Sequence, residues 1–310
     1  AIAENIAHER IRTDDKQFVQ QIAYSPDGKT MAFATGEPDG VSDIHLISIP
    51  NLKFLGKLQG HKKFVSCIQF SPDSKVLFSG GRDNLCFAWN LKTFQITQKF
   101  QGHNDIINSM HLTLDGKHLV ICGNDNRVTL WNPQDNSSTT KIDNVKWVAK
   151  SIASFKDDLF AFGCDDGIVR IWNLKTNREL FQLKGHSGSI RFLVSSKDRL
   201  QLIVGSDDGI VKLWNISFAN GSGNDIATWN FGINKPVCAV MIPGANQMAI
   251  GMFNGQVVVC SLSRDNLVGE IRMNIHDFPV TGLSSSPDGK TLASGSAFES
   301  NMSLIKNWPK

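Results

Sequence analysis

The sequence contains no apolar run close to the roughly 18 residues that a membrane-spanning helix requires. Its first ten residues include Glu4 and Glu9 and no apolar stretch of the length found in signal peptides. A sustained helical period of apolar residues is also missing. We therefore expect no membrane insertion and a fold built from β-strands.

An excess of charge of one sign is nearly lacking as well. The 32 basic and 29 acidic residues give a formal charge of +3, which is too weak to indicate binding to nucleic acid or to an anionic membrane. Cys-x-x-Cys pairs are absent, and the six cysteines lie within strand-like segments. We expect them to be small core residues of a protein in a reducing compartment, either the cytoplasm or the nucleus.

The sequence does contain a repeat. Residues 61–89 begin at a Gly-His pair, pass through a Ser-Pro-Asp turn and end on a tryptophan. An interval of 28 positions separates a histidine from a tryptophan three times, in His61 and Trp89, His103 and Trp131, and His186 and Trp214. Successive tryptophans at 89, 131, 172 and 214 are 42, 41 and 42 positions apart. Each copy is predicted to form four short strands, A to D, bounded by Gly, Pro, Asp or Asn.

In this pattern the sequence resembles the WD40-repeat family, whose blades repeat at about this length. The resemblance covers nearly all of the chain and implies an all-β fold, a seven-bladed WD40 β-propeller. The seventh copy stops after its third strand. A spare strand-like segment at residues 5–12 is expected to close it, because an unpaired edge would pair with other strands. We expect a single domain, residues 1–310, with blades at about 18–61, 62–103, 104–144, 145–186, 187–234, 235–276 and 277–310.

The resemblance also implies a structural role for the repeated polar residues. In complete WD40 copies, a histidine of the D–A loop bonds an aspartate of the B–C turn, a strand-B serine and a strand-C indole. His61, Ser79, Asp83 and Trp89 match the complete set. Cys122 and Val204 are interpreted as replacing the serine in the third and fifth copies, and the seventh has His276 and Ser294 without the aspartate or tryptophan. The other residues expected to be structural are His103, Asp125, Trp131, Asp166, Trp172, His186, Asp208 and Trp214.

The recurrence of Ser, His and Asp argues against a catalytic triad. A triad occurs once per site, whereas this set returns with the blade period. The Gly-Lys-Thr triplets at 28–30 and 289–291 resemble the end of a P-loop, but Ala23 and Ser284 stand where its first glycine is required. We interpret both triplets as tight turns between strands A and B. No histidine or cysteine cluster has the spacing of a metal site, so we expect no enzyme activity, no cofactor and no metal.

Binding is expected at equivalent positions where the copies differ. In WD40 proteins the face that carries the D–A loops and the B–C turns, the top face, commonly binds peptides, and the resemblance implies that face. Its residues either form an exposed apolar ring or pack beneath neighbouring loops. Arg82 with Lys62 and Lys63 would make one side basic, and Asp165 with Asp207 another side acidic. The candidate contacts are Phe18, Phe64, Arg82, Ile106, Asn124, Trp147, Asp165, Asp207, Phe253 and Pro279.

We expect a non-catalytic scaffold that binds a peptide or a partner protein on its top face, within a multiprotein complex and without a small-molecule substrate. An alternative is a guanine-nucleotide exchange factor for a small GTPase of vesicle coat assembly. This alternative rests on a resemblance in the long B–C loop at residues 36–43 and in the segment from His276 to Thr281. A hydrolytic or lyase propeller is disfavoured because convergent catalytic groups are lacking, and an RNA-binding propeller because the net charge is weak.

Overall fold

The computed structural model describes residues 8–12, 18–37, 40–49, 51–156, 158–262, 267–306 and 308, and the regular structure in them is β-strand. The strands form seven sheets of four, and the protein is a seven-bladed β-propeller. No helix that is long and apolar enough to cross a bilayer occurs in this described part of the chain. The predicted all-β propeller is confirmed.

The strands follow the chain blade by blade, after an N-terminal strand β1 (His8–Arg12). Blade 1 contains β2 (Phe18–Tyr24), β3 (Thr30–Gly36), β4 (Ser42–Ser48) and β5 (Phe54–His61). Blade 2 contains β6 (Val65–Phe70), β7 (Val76–Gly81), β8 (Cys86–Asn90) and β9 (Gln95–Phe100). Blade 3 contains β10 (Ile107–Leu112), β11 (Leu119–Gly123), β12 (Val128–Trp131) and β13 (Ser138–Ile142). Blade 4 contains β14 (Ala149–Ser154), β15 (Leu159–Cys164), β16 (Val169–Asn173) and β17 (Arg178–Leu183).

The remaining blades have the same order of strands. Blade 5 contains β18 (Ile190–Ser195), β19 (Gln201–Ser206), β20 (Ile210–Ser217) and β21 (Ser222–Asn230). Blade 6 contains β22 (Pro236–Ile242), β23 (Gln247–Met252), β24 (Gln256–Leu262) and β25 (Leu267–Asn274). Blade 7 contains β26 (Val280–Ser285), β27 (Thr291–Ser296) and β28 (Asn301–Lys306), with β1 as its fourth strand.

Contacts group the chain into two compact units. The first comprises Ala1–Ser79, Ala88–Thr97 and Val237–Lys310, and the second comprises Gly80–Phe87 and Gln98–Pro236. Blades 1 and 7 and nearly all of blade 6 thus belong to the first unit, and blades 3, 4 and 5 to the second. The expected single domain stays a prediction.

Strand β1 closes blade 7. It pairs antiparallel with β28, with Glu9 opposite Leu304 and Ile11 opposite Met302. This pairing covers the edge that the short seventh copy would otherwise leave open. The predicted N-terminal closure is therefore confirmed, although residues 5–7 of the expected segment lie outside the described residues.

The Ser-Pro-Asp segments form the tight A–B turns that the sequence indicated. In blade 1 the Ser25 hydroxyl donates to Asp27 Oδ1 at 2.6 Å and accepts from the Thr30 N–H at 2.9 Å. Gly28 adopts a φ of 69°, which a glycine reaches without strain. The same bonds recur in blade 7, from Ser286 to Asp288 and from the N–H of Thr291. These contacts account for both Gly-Lys-Thr triplets as turns.

The core lies on both faces of strands B and C. Every residue of β11 is buried, and so are all but the first of β3 and of β19. A strand covered on both faces has no solvent side, so its sequence is a continuous apolar run instead of an alternation. In the first unit Val19, Phe33 and Met302 pack in one cluster, and in the second Val204 and Trp214 pack in another.

Candidate functional site

The best-formed polar network lies in blade 2 and is buried. His61 Nε2 is 2.7 Å from Ser79 Oγ, and the Trp89 indole N–H donates to the same oxygen at 2.8 Å. Ser79 is 0% exposed and His61 is 1% exposed. A serine that is sealed from solvent and already bonded twice cannot reach a substrate. The network instead fixes loop and strand positions, as buried polar groups do when each has a partner.

Blades 3 and 5 keep the histidine–aspartate half of this network. His103 Nδ1 is 2.9 Å from Asp125 Oδ1, and His186 Nδ1 is 3.0 Å from Asp208 Oδ2. Burial is the largest influence on the pKa of His186 and lowers it. Burial raises the pKa of Asp208, but N–H donors, including that of Ser187, outweigh it and the pKa falls. The His186–Asp208 pair is therefore best described as a neutral imidazole beside a carboxylate.

The residue that replaces the serine in blade 3 is Ile121, which corrects the assignment of Cys122. Ser79, Val204 and Ser294 each lie 18 positions after their histidine, and so does Ile121 after His103. The strand register agrees, since Ile121 pairs with Met110 as Ser294 pairs with Leu283. The sequence misled because β11 is buried throughout, so no alternation of side chains marks its register.

In blade 4 an arginine replaces the histidine. Arg170 donates to both carboxylate oxygens of Asp166, at 3.0 and 2.7 Å, and its guanidinium lies 4.8 Å from the centre of the Trp147 ring. Asn144 occupies the position 22 residues before Asp166 where blades 2, 3 and 5 have histidine before their aspartate. Trp147 is 9% exposed and is 6.4 Å from the Trp172 ring. The additional tryptophan thus covers the buried arginine of a partly exposed ion pair and contributes to the core of the second unit.

Blade 7 has a complete His–carboxylate–Ser set in which glutamate replaces aspartate. His276 Nδ1 is 2.7 Å from Glu299 Oε2, and His276 Nε2 is 2.9 Å from Ser294 Oγ. The Asp277 N–H donates to Glu299 Oε1 at 2.7 Å. Blade 7 lacks the aspartate, as the sequence indicated, but Glu299 supplies the carboxylate in its place. The glutamate was missed because it lies 23 positions after the histidine, whereas the aspartates lie 22 positions after theirs.

The B–C turn of blade 7 contains one additional residue. Six residues separate Gly295 from its strand partner Met302, whereas five separate Gly205 from Val211 in blade 5. Phe298 occupies the longer turn with a φ of 66°, a left-handed conformation that costs a bulky side chain about 1 kcal/mol or more. Its ring is 57% exposed. The insertion therefore allows Glu299 to reach His276 and leaves the Phe298 side chain exposed to solvent.

Three phenylalanines meet on the top face of the first unit. The Phe298 ring is 5.0 Å from the Phe18 ring and 5.8 Å from the Phe278 ring, both at steep angles. Phe278, in the D–A loop before blade 7, is 46% exposed. We call Phe18, Phe278 and Phe298 the phenylalanine surface. Of these residues only Phe18 was a candidate from the sequence.

The other candidates of the first unit differ in exposure. Phe253 is 58% exposed in the B–C turn of blade 6, and this turn abuts the loop of Phe278, since the N–H of His276 donates to the Gly255 carbonyl at 3.1 Å. Pro279 follows Phe278 and is half-buried, as is Phe64. Of the candidates, Phe18 thus belongs to the phenylalanine surface, Pro279 follows Phe278 in the chain, and Phe253 lies in the adjoining turn.

In the second unit most candidates already have partners. Asp165 accepts from the N–H of Val148 at 2.8 Å, and Asp207 pairs with Arg191 at 2.6 Å. Asn124 accepts from Lys150 Nζ at 2.7 Å. Arg82 is exposed and Ile106 is half-buried. The pairing of Asp207 with a cation weakens the acidic side that the sequence predicted.

The donors to Asn124 and Asp207 share one structural feature. Lys150 and Arg191 each lie at a register shift near the start of strand A, as does Asn108, which also donates to Asn124 at 2.9 Å. A β-bulge re-aims the side chain of its additional residue. These bulges direct polar side chains toward the B–C turns, a function that single-sequence reasoning did not identify.

The comparison with families of known proteins decides the classification. A family model described as the IFT122 first beta-propeller matches residues 18–300. This chain belongs to the IFT122 first beta-propeller family. Its blades are of the WD40 type, in agreement with the repeat.

The chain is also similar to parts of two curated proteins, one of which is named as a WD-repeat protein. "WD repeat-containing protein VIP3" of Arabidopsis thaliana is 41% identical over 70 residues, which is 22% of this chain and 21% of VIP3. Apoptotic protease-activating factor 1 of Rattus norvegicus is 29% identical over 183 residues, which is 58% of this chain and 14% of that protein. The chain therefore spans less than a quarter of the length of either relative.

Solved structures show the same fold. The β-propeller domain of Cps50 (Swd1) from Myceliophteria thermophila has a TM-score of 0.84 at 14% identity, covering 97% of this chain and 100% of that domain. U3-55K has a TM-score of 0.84 at 19% identity, covering 97% and 98%. WD-repeat propellers serve generally as scaffolds for protein interaction and are typically non-catalytic.

Proposed function

We propose that this chain is a non-catalytic interaction scaffold whose partner protein, or a peptide segment of it, binds the phenylalanine surface. The observation that carries the proposal is the exposure of Phe278 and Phe298, at 46% and 57%, on a face where the repeat places loops and not core. A solvent-exposed ring on a strained backbone contributes little to the stability of the fold. Strain that persists at the surface is a feature of functional sites.

The chemistry of the surface also favours protein binding. Aromatic side chains that lose their solvent on binding provide most of the energy of many interfaces. Phe298 contacts Phe18 and Phe278 with its edge tilted to their faces, so the three rings present a broad apolar area. Phe253 in the adjoining turn extends it. We propose that the protein acts in the cytoplasm or nucleus, and its six free cysteines are consistent with a reducing compartment.

The proposal is tested by replacing one ring without disturbing the fold. Asparagine at 298 removes the ring and tolerates the left-handed backbone, as Asn84 and Asn126 do in this chain. A matched control is Phe54→Asn, because Phe54 is 55% exposed but lies at the start of β5, next to the C–D turn and not in a D–A loop or B–C turn. Cross-linking capture from cells by the tagged chain should lose its main partner with Phe298→Asn and retain it with Phe54→Asn. Equal capture by both variants would overturn the proposal.

A further inference from the structure

We infer that the phenylalanine surface binds a basic segment of its partner, one in which arginine or lysine side chains accompany apolar ones. This inference rests on the proposed function and specifies the chemistry of the partner. Two observations carry it: the exposed rings described above, and the carboxylates that flank them.

Both exposed rings have a carboxylate next to them in the chain. Asp277 precedes Phe278, and Glu299 follows Phe298. The two acidic residues are held together, because the Asp277 N–H donates to Glu299 Oε1 at 2.7 Å. Asp277 is exposed, and its carboxylate has no ion pair with any residue that the structure describes. The phenylalanine surface is thus bordered on the side of blade 7 by the exposed Asp277, with the Glu299 carboxylate, 12% exposed, held against its backbone.

The histidine beneath the rings does not cancel this charge. Burial lowers the pKa of His276, with Glu299 acting in the opposite direction, so the imidazole is neutral near pH 7. Arg10 is the nearby cation that also disfavours protonation of His276. The charged residues that adjoin Phe278 and Phe298 in the chain, Asp277 and Glu299, are both acidic.

A basic partner fits this combination better than a neutral or acidic one. A neutral apolar segment laid across the rings would take Asp277 out of water without a counter-charge, which is unfavourable. An acidic segment would add like-charge repulsion. A guanidinium or ammonium can instead stack on a phenyl face and approach a carboxylate at the same time, and its alkyl stem covers apolar surface.

The inference is tested with three labelled peptides of equal length, in which leucine alternates with arginine, with glutamine or with glutamate. Binding is measured by fluorescence anisotropy on the full chain. The arginine peptide should bind about two- to fivefold more tightly per arginine than the glutamine peptide, the gain expected for exposed cation–π contacts. The glutamate peptide should bind most weakly. Added salt should weaken binding of the arginine peptide and leave binding of the glutamine peptide nearly unchanged.

Three variants locate the binding. Phe298→Asn should lower the affinity for the arginine peptide by more than about tenfold, as the loss of an aromatic hot spot does. Asp277→Asn should remove most of the preference for arginine over glutamine while binding of the glutamine peptide persists. Phe54→Asn, the matched control, should bind like the wild type.

The outcomes separate this inference from the proposed function. If all three peptides bind equally and Phe298→Asn abolishes the binding of each, the surface stands as an interaction site and the basic partner is wrong. If no peptide binds, the inference also fails, and the partner-capture experiment judges the proposed function independently. If the arginine peptide binds equally to wild type and Phe298→Asn, the phenylalanine surface is neither the interaction site nor the place where a basic segment binds.

Discussion

Glu299 Oε2 lies 2.7 Å from His276 Nδ1, at the place where blades 3 and 5 have an aspartate. Glutamate is one methylene longer than aspartate, and the turn that carries it is one residue longer. The same backbone N–H contact is kept, from Asp277 in blade 7 and from Ser187 in blade 5. The additional residue of the turn is Phe298, so the structural network and the phenylalanine surface depend on one insertion.

Replacing Phe298 should cost little stability. In Phe298→Asn the loss of ring contacts is offset by relief of the left-handed backbone, so the free energy of unfolding should change by less than about 1 kcal/mol. Urea denaturation followed by tryptophan fluorescence measures it. A loss larger than about 2 kcal/mol would mean that the ring supports the fold, and the surface would lose its functional interpretation.

Val204→Ser, which would complete the blade 5 network, should cost less stability than Ile121→Ser, the equivalent substitution in blade 3. His186 Nε2 and Trp214 Nε1 are buried without hydrogen-bond partners among the described residues, and Val204→Ser would offer a hydroxyl to both. Each new bond contributes about 0.5–1.5 kcal/mol against the lost apolar burial. In blade 3 the Trp131 indole already donates to Asn136 at 2.9 Å. Ile121→Ser should therefore destabilise the protein by at least about 1 kcal/mol more than Val204→Ser. Equal losses would show that the hydroxyl in Val204→Ser does not bond His186 and Trp214.

Trp147 should be important for stability. Its ring is 9% exposed and covers the Arg170–Asp166 ion pair, so Trp147→Ala should lower the free energy of unfolding by about 3–5 kcal/mol. Thermal and urea unfolding provide the measurement. A near-wild-type stability together with lost partner capture would instead identify the tryptophan as a contact residue.

Stability should fall as the pH drops below the usual histidine value of 6.5. Burial lowers the pKa of His186 and of His276, so the unfolded chain binds a proton more readily than the folded one. The stabilisation is complete above pH 6.5 and is lost as the pH falls toward the lower folded pKa, by up to about 1.4 kcal/mol per pH unit for each histidine.

Unfolding in urea between about pH 7.5 and pH 5 isolates this histidine effect. The pKa of Asp208 is lowered from 3.8, so its contribution declines only in more acidic solution. The pH dependence should become shallower in His276→Gln. A stability that is flat across this range would show that neither histidine is held neutral by the fold.

Removing β1 should expose a strand edge. Deletion of residues 1–12 leaves the outer edge of β28 unpaired, and such edges pair with other chains. Size-exclusion chromatography should show concentration-dependent association, together with a lower midpoint of urea unfolding. Deletion of residues 1–7 retains β1 and is the control. A monodisperse product of the longer deletion, with unchanged unfolding, would disprove the role of the N-terminal strand.

The sequence alone determined the architecture. The recurring distance from His61 to Trp89 and the Ser-Pro-Asp turns specify a blade, because local turn chemistry and short apolar strands depend on neighbouring residues only. The truncated seventh copy also predicted the N-terminal closure, since a blade without an outer strand requires one from elsewhere.

Only the tertiary structure decided which residues serve the core and which face solvent. Trp147 was a candidate contact residue from the sequence, yet it is buried. Its ring packs against Arg170, which pairs with the aspartate of blade 4 in place of a histidine. Glu299 was not identified because an insertion of one residue places it 23 positions after His276, one more than the repeat spacing. The exposure of Phe298 was not identified because it depends on the conformation of the longer turn. Exposure depends on packing between segments far apart in the chain, such as Phe18 against Phe298, and no repeat pattern within one copy encodes it.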